Sequence, residues 1–407
     1  MDLRKSALIL TDLQNDFLHP QGLLHRLGHA ALTEEERASL IGRARELAAG
    51  MRAAGRPVVW VRTALRPDHL DSALSPKLRD ELGLTPESGF VVEGSWGAEI
   101  IGELRPEPQD LSITKTGHSA FQFTHLDRLL ANLEVSACVM VAGGTLDGLE
   151  ESVRHGAALG YEVLIPLDAV GAAARAHHRV WSMTAALTTT EEVLADLQAP
   201  PSGEPAPSPD GTALLVVDLQ NDFVHPQGVK ARLGYSVMSE EDRSAIIENN
   251  QLLAQSMRRA GGPVLFIKVG VRPDNLDRAW PRAARRAKPI PPEERYLAEG
   301  SWGAEVAEGV DVLDGDFTVI KKGNSGFGFT PLHRILRNLG VRHCIVSGGA
   351  VHGCVEATVR EGVGLGYTFT VVPDAMYPPG GLIPELLGTH ADIRDTRDVV
   401  AGLRQTA

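Results

Sequence analysis

Cysteine is scarce in this chain: three in 407 residues, at positions 138, 344 and 354. Three thiols cannot build a disulfide framework, and none sits in a CxxC pair. A reducing cytoplasm suits such a chain, and a free thiol would survive there. Long apolar runs are missing as well; none approaches the ~20 residues needed to span a bilayer. No cationic segment leads into an apolar stretch and a small-residue cleavage site at the N-terminus, so a cytoplasmic location is expected. Positive charge is in deficit, with 40 Lys+Arg against 52 Asp+Glu and a net charge of −12. That argues against nucleic acid or an anionic membrane as the main partner, since both need a basic patch. The short basic cluster Arg282, Arg285, Arg286 and Lys288 reads as a solvated helix face.

What the chain does have is itself, twice. Residues 9–22 read ILTDLQNDFLHPQG and residues 215–228 read LVVDLQNDFVHPQG. Asp12 pairs with Asp218, an offset of 218 − 12 = 206. The same offset carries EGSWGAE at 93–99 onto 299–305, Lys115 onto Lys321 and Cys138 onto Cys344, with no gap. A period this long means two whole domains rather than a solenoid. Between the copies lies APPSGEPAPSPDG, whose prolines and small residues form no core and read as an extended linker. The expected organisation is a domain over 1–198, a linker over 199–211 and a domain over 212–407.

Each copy alternates β-rich apolar runs with amphipathic stretches. In the second copy the expected strands are Ala213–Val217, Pro263–Val269, Phe317–Ile320, His343–Ser347 and Tyr367–Val372. Ser239–Arg259 reads as a helix opened by a Ser cap with acids in its first turn. Alternating strands and helices give a mostly parallel sheet flanked by helices, an α/β fold. Ligands in such sheets bind beyond the C-terminal strand ends.

Three residues of the second copy sit there. Asp218 ends the first strand, Lys321 ends the strand from Phe317, and Cys354 follows the strand from His343 in SGGAVHGCVEATVRE. The segment after Cys354 has helical character. A helix N-terminus and a neighbouring Lys321 are both expected to lower the thiol pKa from ~8.5. Asp218 would take the thiol proton and return it to a leaving group. Backbone N–H groups at Ala350 and Cys354 would hold an oxyanion. Taken singly, each residue has a plainer role: turn, solvated charge or small hydrophobe. Cys138 and Cys344, matched inside a strand, are read as core.

Three motifs, DLQNDF at 218–223, KKGNSGF at 321–327 and GGAVHGCVEATVRE at 348–361, resemble the isochorismatase-like cysteine hydrolases. The resemblance spans both copies almost end to end. It implies a six-stranded Rossmann-like sheet in each and an Asp218–Lys321–Cys354 triad. It also implies a cis peptide near Gly349–Ala350 that turns the Ala350 N–H toward an oxyanion. The chemistry it implies is hydrolysis of a small linear amide or ureide through a thioester. Family members commonly pair as dimers, so an intramolecular pseudo-dimer is expected, with or without further self-association.

The copies differ at the key position, for Gly148 stands where Cys354 would be. Asp12, Lys115 and Gly148 then form either a degenerate site kept for packing or an isochorismatase-type site cleaving a vinyl ether with Asp12 as general acid. A non-catalytic binding or scaffold role is the third reading. The nicotinamidase metal set is missing: KVGVRPDNLDRAW at 268–280 has no histidine, and the first copy has only His69 there. No metal and no cofactor are therefore expected, and the partner is a small-molecule substrate. Gln220, Phe223, Asn324, Phe327, Phe329 and His352 are substrate-binding candidates beside the motifs. Trp302 is a further one, although its repetition as Trp96 favours a structural role.

Overall fold

The computed structural model describes the chain except residues 1–2, 30–31, 144–145, 172–177, 199–210, 236–237, 280–289, 380–382, 384–386 and 406–407. The expected linker, save Gly211, and the basic cluster at 282–288 lie outside the described residues. The chain divides into two compact units, Met1–Glu204 and Pro205–Ala407. Among the described residues no helix is long and apolar enough to cross a membrane.

In the first unit the strands are β1 (Ser6–Thr11), β2 (Val58–Thr63), β3 (Leu111–Lys115), β4 (Ala137–Ala142), β5 (Glu162–Pro166) and β6 (Ala186–Thr188). The second unit has β7 (Thr212–Val217), β8 (Val264–Val269), β9 (Phe317–Lys321), β10 (His343–Gly349), β11 (Thr368–Tyr377) and β12 (Asp392–Ile393). Each set forms one six-stranded sheet, ordered β3-β2-β1-β4-β5-β6 and β9-β8-β7-β10-β11-β12. Every pairing is parallel.

Alternation along β7 explains why the strand is apolar throughout. Leu214 and Val216 enter one core layer with Leu253, Met257 and Val400. Ala213, Leu215 and Val217 enter the other with Leu336, Val359 and Phe369. Both faces are covered by helices, so both side-chain sets must be hydrophobic. Helix Glu240–Arg259 covers one face; the Ser239 hydroxyl accepts from the Asp242 N–H and caps it. Its counterpart Glu34–Ala53 starts with a full capping box between Thr33 and Glu36. Cys138 and Cys344 are buried in the core.

The strand order reverses between β7 and β10: β8 and β9 extend one way from β7, while β11 and β12 extend the other. A crevice opens at the C-terminal ends of such a strand pair. At its floor Gly348 has φ +93°, and a Cβ there would lie 2.1 Å from the Val217 carbonyl oxygen. Only glycine lets β10 pass so close to β7.

β11 is longer than the expected Tyr367–Val372. Past the apolar run it continues through Pro373 and Asp374 and re-pairs with β10 at Met376 and Tyr377, after a register shift between Val346 and Gly348. The polar interruption hid this second half, because the shift lets the strand turn its pattern over midway.

Candidate active site

Asp218 is the first residue after β7, and its φ of +49° lies in the left-handed region. Asp12 repeats this with φ +58°. Non-glycine residues adopt this conformation only where the surroundings fix it. Three residues further along DLQNDF do the fixing. Gln220 Nε2 donates to the carbonyls of Val269 (2.8 Å) and Ala304 (2.7 Å), while its Oε1 accepts from the Val269 N–H (2.9 Å). Asn221 Nδ2 donates to the Trp302 carbonyl at 2.9 Å. Asp222 accepts the N–H groups of Val229 (3.0 Å) and Leu297 (2.8 Å). Gln14, Asn15 and Asp16 make the same bonds in the first unit. The motif thus binds the strand end to the EGSWGAE loop. Gln220, a substrate-binding candidate, is wholly buried and spends both amide protons on these carbonyls.

Lys321 closes β9 two strands away. Its Nζ lies 2.9 Å from Asp218 Oδ2, with both side chains fully buried. The ammonium also donates to the carbonyls of Gly323 and Asn324, each at 2.9 Å. One proton remains for the ion pair with Asp218, whose carboxylate keeps accepting capacity toward Cys354. Burial raises the Asp218 pKa above the ordinary aspartate value, against the pull of Lys321. Burial works against the Lys321 ammonium, but Asp218 and Cys354 together outweigh it and hold its pKa above the usual lysine value.

Cys354 sits in a π-helical turn, Val351–Val355, that leads into helix Glu356–Leu365. A cis peptide joins Gly349 to Ala350 ahead of it. The thiol is buried and interacts with both Asp218 and Lys321. The expected lowering of its pKa is not what the surroundings produce. Burial, aided by the Asp218 charge, pushes the thiol up to about 12, and Lys321 offsets this only in part. The helix terminus is a partial charge, whereas the loss of solvation and a whole carboxylate act directly on the sulfur.

The remaining candidates scatter. Phe223 is buried at the site, edge-on to Tyr296 and tilted on Tyr377, both at 5.9 Å between ring centres. Phe327 stacks on Tyr367 at 5.6 Å inside the core. Asn324, His352 and Phe329 are exposed, Phe329 fully. Trp302 is neither core nor pocket: 42% exposed, it packs edge-on against His225 at 4.9 Å and donates to Glu308 Oε1 at 2.9 Å.

Two phenols went unread in the sequence. Tyr377, at the end of β11, donates to the Asp218 carbonyl at 2.7 Å and lays its ring against Gly349. Tyr296 packs beside Phe223. Burial raises both phenol pKa values well above normal. The register held the signal: the first copy has Gly171 and Phe90 at these places, so both hydroxyls accompany the cysteine.

The first-unit site is built differently. Lys115 Nζ donates to Asp12 Oδ2 at 2.8 Å. Thr63 Oγ1 donates to Oδ1 at 2.7 Å and Thr11 Oγ1 to Oδ2 at 3.1 Å. The second copy has Val269 and Val217 in place of these threonines. A Cβ on Gly148 would come within 3.0 Å of Asp12 Oδ2. Above the pair lies a cavity of about 20 Å³, lined by Leu24, Leu74, Leu84, Phe90 and His118 among others. Among the described residues no group of three His, Cys, Asp or Glu side chains is placed to hold a metal ion.

An isochorismatase-domain family model matches residues 6–193 and again residues 212–379. The chain belongs to the isochorismatase family. A family relative, the ureidoacrylate amidohydrolase RutB of Cronobacter sakazakii, is 31% identical over 184 residues, 42% of this chain and 77% of that protein. The RutB of Cronobacter turicensis matches with the same identity and coverage. Of the solved structures in this family, a cysteine hydrolase from Pseudomonas syringae pv. phaseolicola is 26% identical. It covers 52% of this chain and 100% of that one, with a TM-score of 0.42.

Proposed function

We propose that the second unit hydrolyses a small linear amide or ureide through a thioester on Cys354. The observation that carries this reading is the buried Asp218–Lys321 pair, 2.9 Å apart, interacting with a buried thiol at the strand-order reversal. In the sequence of steps, Cys354 Sγ attacks the substrate carbonyl carbon as its proton passes to Asp218. The raised Asp218 pKa makes that carboxylate a willing acceptor. The backbone N–H groups of Ala350 and Cys354 hold the oxyanion. Asp218 then protonates the departing nitrogen, and water, deprotonated by Asp218, cleaves the thioester. Lys321 keeps Asp218 ionised between proton transfers. The names of the RutB relatives support the substrate class.

Gly148 leaves the first unit no sulfur for this route. Nor does that unit suit vinyl-ether cleavage, because both Asp12 oxygens already accept bonds from Thr11, Thr63 and Lys115. The test assays the full chain against small amides and ureides, ureidoacrylate among the first. Cys354→Ala is expected to lose roughly a thousandfold or more in kcat with folding intact, and Asp12→Asn to lose nothing. Turnover that survives Cys354→Ala excludes the thioester route.

A further inference from the structure

The two units differ most in the wall around the Asp–Lys pair. In the first unit that wall is apolar, and Leu24 is part of it. Leu24 lies on the short helix Leu23–Arg26; its counterpart on Val229–Arg232 is Lys230. A pocket-lining leucine in one copy is thus an ammonium in the other. Lys230 is half-buried, and its Nζ lies 4.4 Å from the centre of the Phe223 ring. That ring touches Tyr296 and Tyr377, and Tyr377 is bonded to Asp218, so the ammonium is held at the rim of the site by a cation–π contact. It is near enough to act on the Asp218 charge. A second cation joins on the same wall. Arg278, counterpart of Ser72, sets its guanidinium 5.4 Å from the Tyr296 ring centre.

The second unit thus carries two cations where the first has Leu and Ser. The protein is acidic, and a lysine laid on an aromatic ring gives up part of its hydration. Packing does not demand it, since Leu24 fills the same place in the same fold. We propose that Lys230 recognises a carboxylate on the substrate, so that the second unit selects an anionic amide or ureide over a neutral one. This rests on the reading of Cys354 as the nucleophile. The carboxylate meets the Lys230 ammonium at the rim while the scissile carbonyl reaches Cys354. In the first-unit cavity Leu24 stands where the second unit has that ammonium.

Iodoacetate and iodoacetamide test this without knowledge of the substrate, since they differ in charge but form the same kind of thioether. The full-length protein and Lys230→Met are alkylated with each, and the rate at Cys354 is followed by peptide mass spectrometry. Methionine keeps the contact with Phe223 and removes the charge. The iodoacetate-to-iodoacetamide rate ratio is expected to fall roughly tenfold in Lys230→Met. Any effect of Lys230 on the thiol through Asp218 acts on both reagents alike and cancels in the ratio, and an unchanged circular dichroism spectrum reports an intact fold. Lys230→Arg should keep most of the ratio, and added salt should shrink it only where the cation is present. An unchanged ratio in Lys230→Met overturns the inference while leaving Cys354 as nucleophile. Failure of both reagents to modify Cys354 in the wild-type protein overturns the nucleophile assignment and this inference with it.

Discussion

Asp218 and Asp12 share a backbone conformation and a lysine partner, yet their carboxylates meet different donors. Two threonine hydroxyls hold Asp12; two valines leave Asp218 with its accepting capacity. In the proposed mechanism that difference decides which of them takes a proton from a neighbour. Its consequence is a definite pH behaviour. With the Cys354 thiol pushed up to about 12, the fraction ionised grows steadily through neutral and alkaline pH. Alkylation at Cys354 should climb through that range without levelling off, whereas a thiol of depressed pKa would plateau. In the proposed mechanism turnover needs Asp218 as carboxylate. Its pKa is raised, so activity falls as pH drops through a value above the ordinary ~3.9 of aspartate. A plateau in alkylation near neutrality would show that Lys321 dominates after all. That Asp218, Lys321 and Cys354 come together was legible in the sequence, because strand ends and the family resemblance mark them. The direction of the thiol shift was not, since it depends on how much water the folded chain excludes.

At the scale of elements, the turn after β9 and the helix after Cys354 are joined by one hydroxyl. Thr358 Oγ1 donates to the Cys354 carbonyl at 2.6 Å and accepts from the Gly326 N–H at 2.9 Å. Ser152 forms the same link in the first unit, to Gly148 and Ala120. Thr358→Val leaves the buried Gly326 N–H without its acceptor and should cost about 1–3 kcal/mol, measured by urea unfolding. No measurable loss would mean that the link is incidental to the fold. Five strands of the second unit were readable because apolar runs of both-faces-buried strands stand out. The far half of β11 was not, for Pro373 and Asp374 interrupt its pattern where the register shifts. Tyr377 and its bond to Asp218 were hidden with it.

Across the whole molecule, one fold appears twice and the constellation of acid, lysine and thiol only once. An activated ester that acylates Cys354 and deacylates slowly should therefore add one acyl group per chain, seen by intact mass. Two groups would place a second nucleophile in the chain. The duplication was the plainest feature of the sequence, since 206-residue register needs no structural knowledge. The unlike chemistry of the two walls was less plain: Leu24 and Lys230 look like an ordinary surface exchange until their places beside Asp12 and Asp218 are known.

The bonds made by Gln220, Asn221 and Asp222 are repeated by Gln14, Asn15 and Asp16 where no sulfur stands nearby. Such a hexapeptide has a folding role of its own, with or without a thiol nearby. A genome survey that counts DLQNDF therefore counts domains, and it credits this chain with two working centres. A survey that asks for Cys354 and the Tyr377 hydroxyl together credits it with one.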